Sequence, residues 1–210
     1  MVAAKTVDLR VVLYGPQGSG KSETLQQLAK AAGDSGKRRP VRFPSRDRST
    51  LFFDYYQMEL GKVEGVNVRF HFFALPGRDC YNLAARMGVH SADGIVFVVD
   101  GRDSHLPETL SHLRKLDQML AEGGRRLETM PKVFQVNKSD LASKDGGGVL
   151  TERRFERIGA PRVRTEAKSG VGIPELFREI VNQVLSGFGS SQEALPLSPR
   201  GKPAPVKVPP

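Results

Sequence analysis

Eight residues near the N-terminus constrain this chain more than any other feature. Gly15, Pro16, Gln17, Gly18, Ser19, Gly20, Lys21 and Ser22 fit the pattern G-x-x-x-x-G-K-[ST]. The pattern carries meaning only between a strand and a helix, where the chain turns sharply and aims backbone N–H groups inward. That context is present. Val7, Leu9, Val11 and Leu13 alternate as one face of a strand. Leu25, Leu28, Ala29 and Ala32 recur at helical spacing, and Gly33 is a natural stop. The N–H groups from Gly18 to Ser22 are therefore expected to surround a β-phosphate, with the helix N-terminus adding partial positive charge. Lys21 is expected to bridge β- and γ-phosphate oxygens, and Ser22 to offer its hydroxyl oxygen to Mg²⁺.

Further along, short apolar runs alternate with helical periods. Residues 34–50 are polar, basic and proline-containing and read as a long loop. Residues 51–60 and 66–74 read as strands of an antiparallel hairpin across a short 61–65 link. Ile95 to Val99 is a continuous apolar run, as expected of a strand buried on both faces. Leu106, Leu110, Leu113, Leu116 and Leu120 mark a helix ending at Gly123 and Gly124. Residues 132–136 read as another buried strand, 151–158 as a short helix and 161–165 as a last strand. Pro174 suits the start of a helix whose stripe is Ile173, Leu176, Phe177, Ile180 and Val184. This alternation predicts an α/β three-layer domain over residues 1–188, with a mainly parallel sheet and one antiparallel hairpin strand. Residues 189–210 hold six prolines and no periodicity, and are expected to be a disordered basic tail. Its Pro196 to Pro199 segment could dock to a polyproline reader or simply be solvated.

The phosphate motif does not choose a base. Asn137, Lys138, Ser139 and Asp140 follow a buried strand and supply that choice. A carboxylate at Asp140 can accept from guanine N1–H and N2–H₂, whereas adenine would leave it unpaired at a cost of about 1–3 kcal/mol. Asn137 is expected to tie the loops together, and the Lys138 stem to lie along the base plane. Glu166, Ala167, Lys168, Ser169 and Gly170 follow the last strand and resemble the S-A-K loop of GTPases, where the Ala167 N–H would meet guanine O6. Thr50 is the expected switch I ligand to Mg²⁺ and γ-phosphate, with Ser49 a competing candidate. Gly77, in Ala74-Leu75-Pro76-Gly77, stands where GTPases place D-x-x-G and can offer its N–H to the γ-phosphate. Ala74 replaces the aspartate of that pattern.

Arg48, Ser49, Thr50, Leu51, Phe52, Phe53 and Asp54, then a hairpin, then Ala74 to Gly77, resemble the MglA family of bacterial Ras-like small GTPases. Tyr14-Gly15-Pro16 before the phosphate loop is similar too, and the likeness spans about residues 5–187. It implies a Ras-like P-loop fold and a GTP/GDP- and Mg²⁺-dependent switch in cell polarity or gliding motility. It also implies a roadblock-type partner that stimulates hydrolysis, and polarity or motility effectors. The implied nucleotide set is Gly15, Gln17, Gly18, Ser19, Gly20, Lys21, Ser22, Glu23, Thr50, Gly77, Asn137, Lys138, Asp140, Ala167 and Lys168. Ser22 and Thr50 would hold the metal; Arg78, Thr50 and Lys21 would carry catalysis. The departures fall on catalysis. The family's arginine before the switch I threonine is Ser49 here, with Arg48 one residue earlier and hence on the opposite face of an extended segment. Its glutamine after the switch II glycine is Arg78, which cannot accept a hydrogen bond from water but could offset γ-phosphate charge. GTP binding with slow hydrolysis is expected, against a pseudo-GTPase scaffold. A P-loop kinase is disfavoured by Asp140 and by the lack of a lid segment.

Composition adds limits. The formal charge of +9 favours anionic partners, but aromatics do not interleave with cations as base stacking requires, so nucleic acid is not expected. The lone Cys80 allows no internal disulfide and fits a cytoplasmic setting. No stretch is long enough to span a bilayer. Residues 37–48 carry six cations and one acid. Docking to a partner or an anionic membrane surface and a solvated loop beside a phosphate-rich ligand stand equally. His71, His90, His105 and His112 show no metal-ligand grouping and are expected at the surface or in packing. Phe52, Phe53, Tyr55 and Tyr56 are expected to pack the sheet, with an exposed subset open to a partner.

Overall fold

A computed structural model describes residues 6–32, 40–43, 53–63, 65–77, 82–143, 149–156 and 158–186. Ser49, Thr50, Arg78, Cys80, residues 44–48 and the 189–210 tail lie outside the described residues.

Seven strands form one sheet: β1 (Thr6–Tyr14), β2 (Val41–Phe43), β3 (Phe53–Val63), β4 (Val66–Ala74), β5 (Gly94–Asp100), β6 (Lys132–Asn137) and β7 (Arg162–Thr165). The spatial order is β2-β3-β4-β1-β5-β6-β7. β4, β1, β5, β6 and β7 pair in parallel, and β3 is antiparallel to both its neighbours. The expected single antiparallel strand is therefore β3. Two details differ. The hairpin turn is shorter than 61–65, because pairing continues to Val63 and Val66 past an irregularity between Glu59 and Gly61. Within the expected loop 34–50, Val41–Phe43 extends the sheet by pairing with Phe53–Tyr55. Three residues carry no readable period, so only their partner strand defines them.

Helices cover both faces. α1 (Lys21–Ala31) and α6 (Ile173–Leu185) close one core with Leu9, Val11, Leu13, Phe70, Phe72, Val96 and Val98. α2 (Asn82–His90), α3 (Leu106–Glu122) and α5 (Val149–Glu156) cover the other. That core contains Val12, Tyr14, Ile95, Phe97, Val99, Phe134 and Phe155. The period-2 alternation of β1 and β5 thus sends successive residues to opposite layers. Burying seven consecutive residues of β5 requires that coverage on both sides. In α3 the buried face is Thr109, His112, Leu116, Met119 and Leu120. Leu106, Leu110 and Leu113 are only half-buried, so the helix is rotated from its expected leucine stripe. The rotation carries His112 toward the carboxyl edge of the sheet. The short helix α4 (Ser139–Ala142) follows β6.

The sheet order reverses beside β1, whose neighbours are β4 and β5. The loops leaving the carboxyl ends at such a reversal diverge to opposite faces and open a crevice, the usual ligand position in this architecture. Register brings the ends together: Asp100 is opposite Asn137, and Asn137 opposite Thr165.

Candidate functional site

The phosphate loop leaves Tyr14 and enters α1 at Lys21. Gly20 adopts a left-handed backbone, φ 104°, and a Cβ there would collide with the Asn137 side-chain amide. Only glycine permits both the turn and this close approach. Gly77 packs against the same loop from switch II, where an added Cβ would sit 2.6 Å from the Pro16 carbonyl carbon. The Leu75 N–H donates to the Leu13 carbonyl at 3.0 Å, continuing the β1–β4 pairing to the edge of the loop.

Lys21 is buried, and its Nζ donates to the Gly15 and Pro16 carbonyls at 2.8 and 2.6 Å. Burial pushes its ammonium down to about 8, against an opposing pull from Glu108. An anion in the loop would remove that penalty, because it returns to the ammonium the charge stabilisation lost with water. Ser22 and Glu23 follow on the first turn of α1, half-buried.

Asn137 is the knot of the site. Its Nδ2 donates to the Ser19 carbonyl at 2.8 Å, and its Oδ1 accepts from the Ala167 N–H at 2.9 Å and from Thr165 Oγ1 at 3.0 Å. One amide therefore joins the phosphate loop, the end of β6 and the 166–170 loop. The Ala167 N–H, expected at guanine O6, is donated to Asn137 here. Lys138 has a left-handed backbone, φ 61°, uncommon for a residue with a side chain. Two ties hold it. The Gly101 N–H donates to the Asn137 carbonyl at 2.8 Å, and Lys138 Nζ reaches Asp100 Oδ2 at 2.7 Å. Asp140 is exposed at the start of α4. Glu166, the replacement for serine, accepts from Ser139 Oγ at 3.4 Å and from Ser169 Oγ at 3.2 Å. It braces the loop that carries Ala167 and the exposed Lys168.

Three polar residues of this region were given no site role by the sequence. Asp100 ends β5 and receives Arg102 Nη2 and Lys138 Nζ, both at 2.7 Å. Burial pushes its carboxyl up, but the bonds from Arg102 and Lys138 together outweigh this and hold it well below the usual carboxylate range. Its position at a carboxyl strand end before Gly101 was the available clue. His112 Nε2 lies 3.2 Å from the Gly77 carbonyl and Nδ1 lies 3.1 Å from the Glu108 carbonyl. Gln135 is buried beneath Asn137. Among the described residues no three metal-ligating side chains cluster, and no helix is long and apolar enough to cross a membrane.

The residues present fit the phosphates of a nucleotide. The loop glycines leave room that side chains would fill, and a buried cation is aimed into the loop. The sheet order and the sequence of phosphate loop, switch II glycine, NKSD and EAK loops define a Ras-like P-loop domain of the small-GTPase class. The chain is 28% identical over 187 residues to the mutual gliding-motility protein MglA of Myxococcus xanthus, covering 88% of this chain and 94% of that protein. Elongation factor 4 of Chlorobium phaeovibrioides is 29% identical over 62% of this chain but only 20% of its own length. Translation initiation factor IF-2 of a Caulobacter species is 25% identical over 81% of this chain and 15% of its own length. No protein-family model matches the chain. Over most of its length the chain is similar to MglA, a bacterial small GTPase, from which it has diverged, and it is a GTP-binding protein.

Proposed function

We propose that this protein is a GTP-dependent molecular switch with slow intrinsic hydrolysis, acting in cell polarity or gliding motility. The observation that carries this reading is the junction at Asn137, which draws the phosphate loop, NKSD and EAK segments into one crevice. Gly15, Gln17, Gly18, Ser19, Gly20, Lys21, Ser22 and Glu23 would hold the phosphates. Asp140 would read guanine N1–H and N2–H₂, being shielded from water by the base itself. The Lys138 stem would flank the base, and the Ala167 N–H would reach guanine O6 only by leaving or sharing its bond to Asn137 Oδ1. Gly77 would offer its N–H to the γ-phosphate. Ser22 and Thr50 would hold Mg²⁺, which when bound neutralises charge on the β- and γ-oxygens.

What this chain's own residues do toward hydrolysis is modest. Lys21 stabilises phosphate charge, while Arg78 can donate but cannot orient an attacking water as an acceptor would. Ala74 is 4% exposed and packed among Val11, Leu13 and Phe72, so no carboxylate stands at that position. Ala74 also favours a second reading, a pseudo-GTPase scaffold that holds GTP without useful turnover. A roadblock-type partner would supply what is missing under the first reading and nothing under the second. Peripheral contact with an anionic membrane would run through residues 37–48.

The test is to release and identify the nucleotide of the purified chain, then follow one turnover of bound GTP alone and with a roadblock-type partner. Slow hydrolysis that the partner accelerates supports the switch. Rapid hydrolysis without a partner overturns the slow-rate reading, and no hydrolysis under either condition favours the scaffold. Bound adenine nucleotide would overturn the base assignment.

A further inference from the structure

Gln135 sits on β6 two residues before Asn137 and is 0% exposed. A buried amide retains its hydration free energy only by finding partners for two N–H donors and a carbonyl. Its Nε2 donates to Thr24 Oγ1 at 2.7 Å and to Thr165 Oγ1 at 2.9 Å. Its Oε1 is buried and has no hydrogen-bond partner among the described residues. An apolar side chain of similar shape would avoid the orphaned carbonyl, at the loss of both bonds to threonine.

The direction of the protons shows what the amide does. Thr165 Oγ1 accepts from Gln135, so its single proton goes to Asn137 Oδ1 at 3.0 Å. The Asn137 amide then donates to the Ser19 carbonyl. The other N–H of Gln135 reaches Thr24, which stands on the first turn of α1 two residues after Ser22. One side chain thus joins the helix bearing Lys21 and Ser22 to the strand end that sets Asn137 and Ala167. A glutamate would need protons from both threonines and would take from Thr165 the one that Asn137 receives. A leucine would leave both hydroxyls without their donor.

We propose that Gln135 is a positioning residue of the nucleotide site, holding the first turn of α1 through Thr24 and the base-side loops through Thr165 and Asn137 at one spacing. It touches no nucleotide itself. The inference rests on the guanine-nucleotide reading of the crevice.

The experiment measures release of fluorescently labelled GDP from the full chain, beside the melting midpoint of the chain freed of nucleotide. Gln135→Leu and Thr24→Val should each release GDP about fivefold faster, the worth of roughly one net hydrogen bond. The double variant should match Gln135→Leu, because both changes break the same link. Thr24→Ser keeps the hydroxyl and should release GDP at the parent rate. In nucleotide-free Gln135→Leu the loss of two bonds to threonine opposes the removal of the orphaned carbonyl, so its midpoint should stay near the parent's. Unchanged release in Thr24→Val, equal loss in Thr24→Ser, or multiplied effects in the double variant would each overturn the proposal. The threonine pair decides the matter even where Gln135→Leu does not fold. A parent chain that takes up no GDP overturns the nucleotide reading and this inference with it. A parent that binds GDP beside variants of unchanged rate overturns this inference alone.

Discussion

Asp100 is one buried carboxylate between two cations, and its effect on the site runs through Lys138. The ammonium held at 2.7 Å fixes the direction of a lysine stem that starts from an unfavourable left-handed backbone. Replacing Asp100 with asparagine leaves Arg102 and Lys138 without their counter-charge and should destabilise the fold by about 1–3 kcal/mol near neutral pH. The pH dependence has a definite sign. The folded-state carboxyl titrates below its unfolded value near 4, so its stabilisation is complete above about pH 4 and is lost as pH falls through the folded value. Urea unfolding at pH 6 and pH 3 should show the gap between parent and Asp100→Asn narrowing in acid. A gap independent of pH would refute a charge-based role. Arg78 poses a different single-residue question. A glutamine there could accept from water, so Arg78→Gln should raise single-turnover hydrolysis. An unchanged rate would mean that position 78 does not limit catalysis.

At the scale of elements, the start of switch II is wedged between the phosphate loop and α3. Gly77 has no room for a Cβ beside Pro16 and Gln17, and its carbonyl faces His112 on α3. Gly77→Ala must therefore move either segment 75–77 or the phosphate loop, a strain of about 1–3 kcal/mol. It should weaken GTP binding about 5- to 150-fold in equilibrium titration while helical circular dichroism is kept. Binding within twofold of the parent would show that the two loops separate when nucleotide enters. Elements of this kind were unevenly legible from sequence. β1, β5, β6, α1 and α6 announce themselves because burial on one or both faces imposes a period or an unbroken apolar run. α2 did not, since Leu83 and Met87 on it are exposed and blur its apolar face. The three residues of β2 are too few to show alternation. The leucines of α3 misled, because the face turned toward the sheet buries Thr109 and His112 instead. The phosphate and base motifs were legible because their chemistry demands particular residues at fixed spacing. Asp100, His112 and Gln135 were not, because each acts on a partner from 35 to 111 residues away that only the sheet register brings near.

For the molecule as a whole, the binding crevice has no rigid wall of its own. It is the edge of a single sheet, assembled from the ends of β1, β4, β5, β6 and β7 and closed by side-chain ties at Asn137, Asp100 and Gln135. A ligand touching loops from most of those strands binds best when those strands are in register, so binding free energy adds to folding free energy. GDP at about 100 times its dissociation constant should add about 2.7 kcal/mol of stability. For a domain of this size that raises the melting midpoint by about 5–11 °C. ADP offers the same phosphates but leaves Asp140 without donors, so its shift at equal concentration should be smaller. Asp140→Ala should cut the GDP shift and leave the ADP shift where it was, because only the guanine contacts are lost. Differential scanning fluorimetry of parent and variant with each nucleotide checks both. Equal shifts for GDP and ADP in the parent would mean that base recognition does not reside at Asp140. A GDP shift retained in Asp140→Ala would move it to the Asn137 and Ala167 loops, whose donors would then have to distinguish guanine through O6 alone.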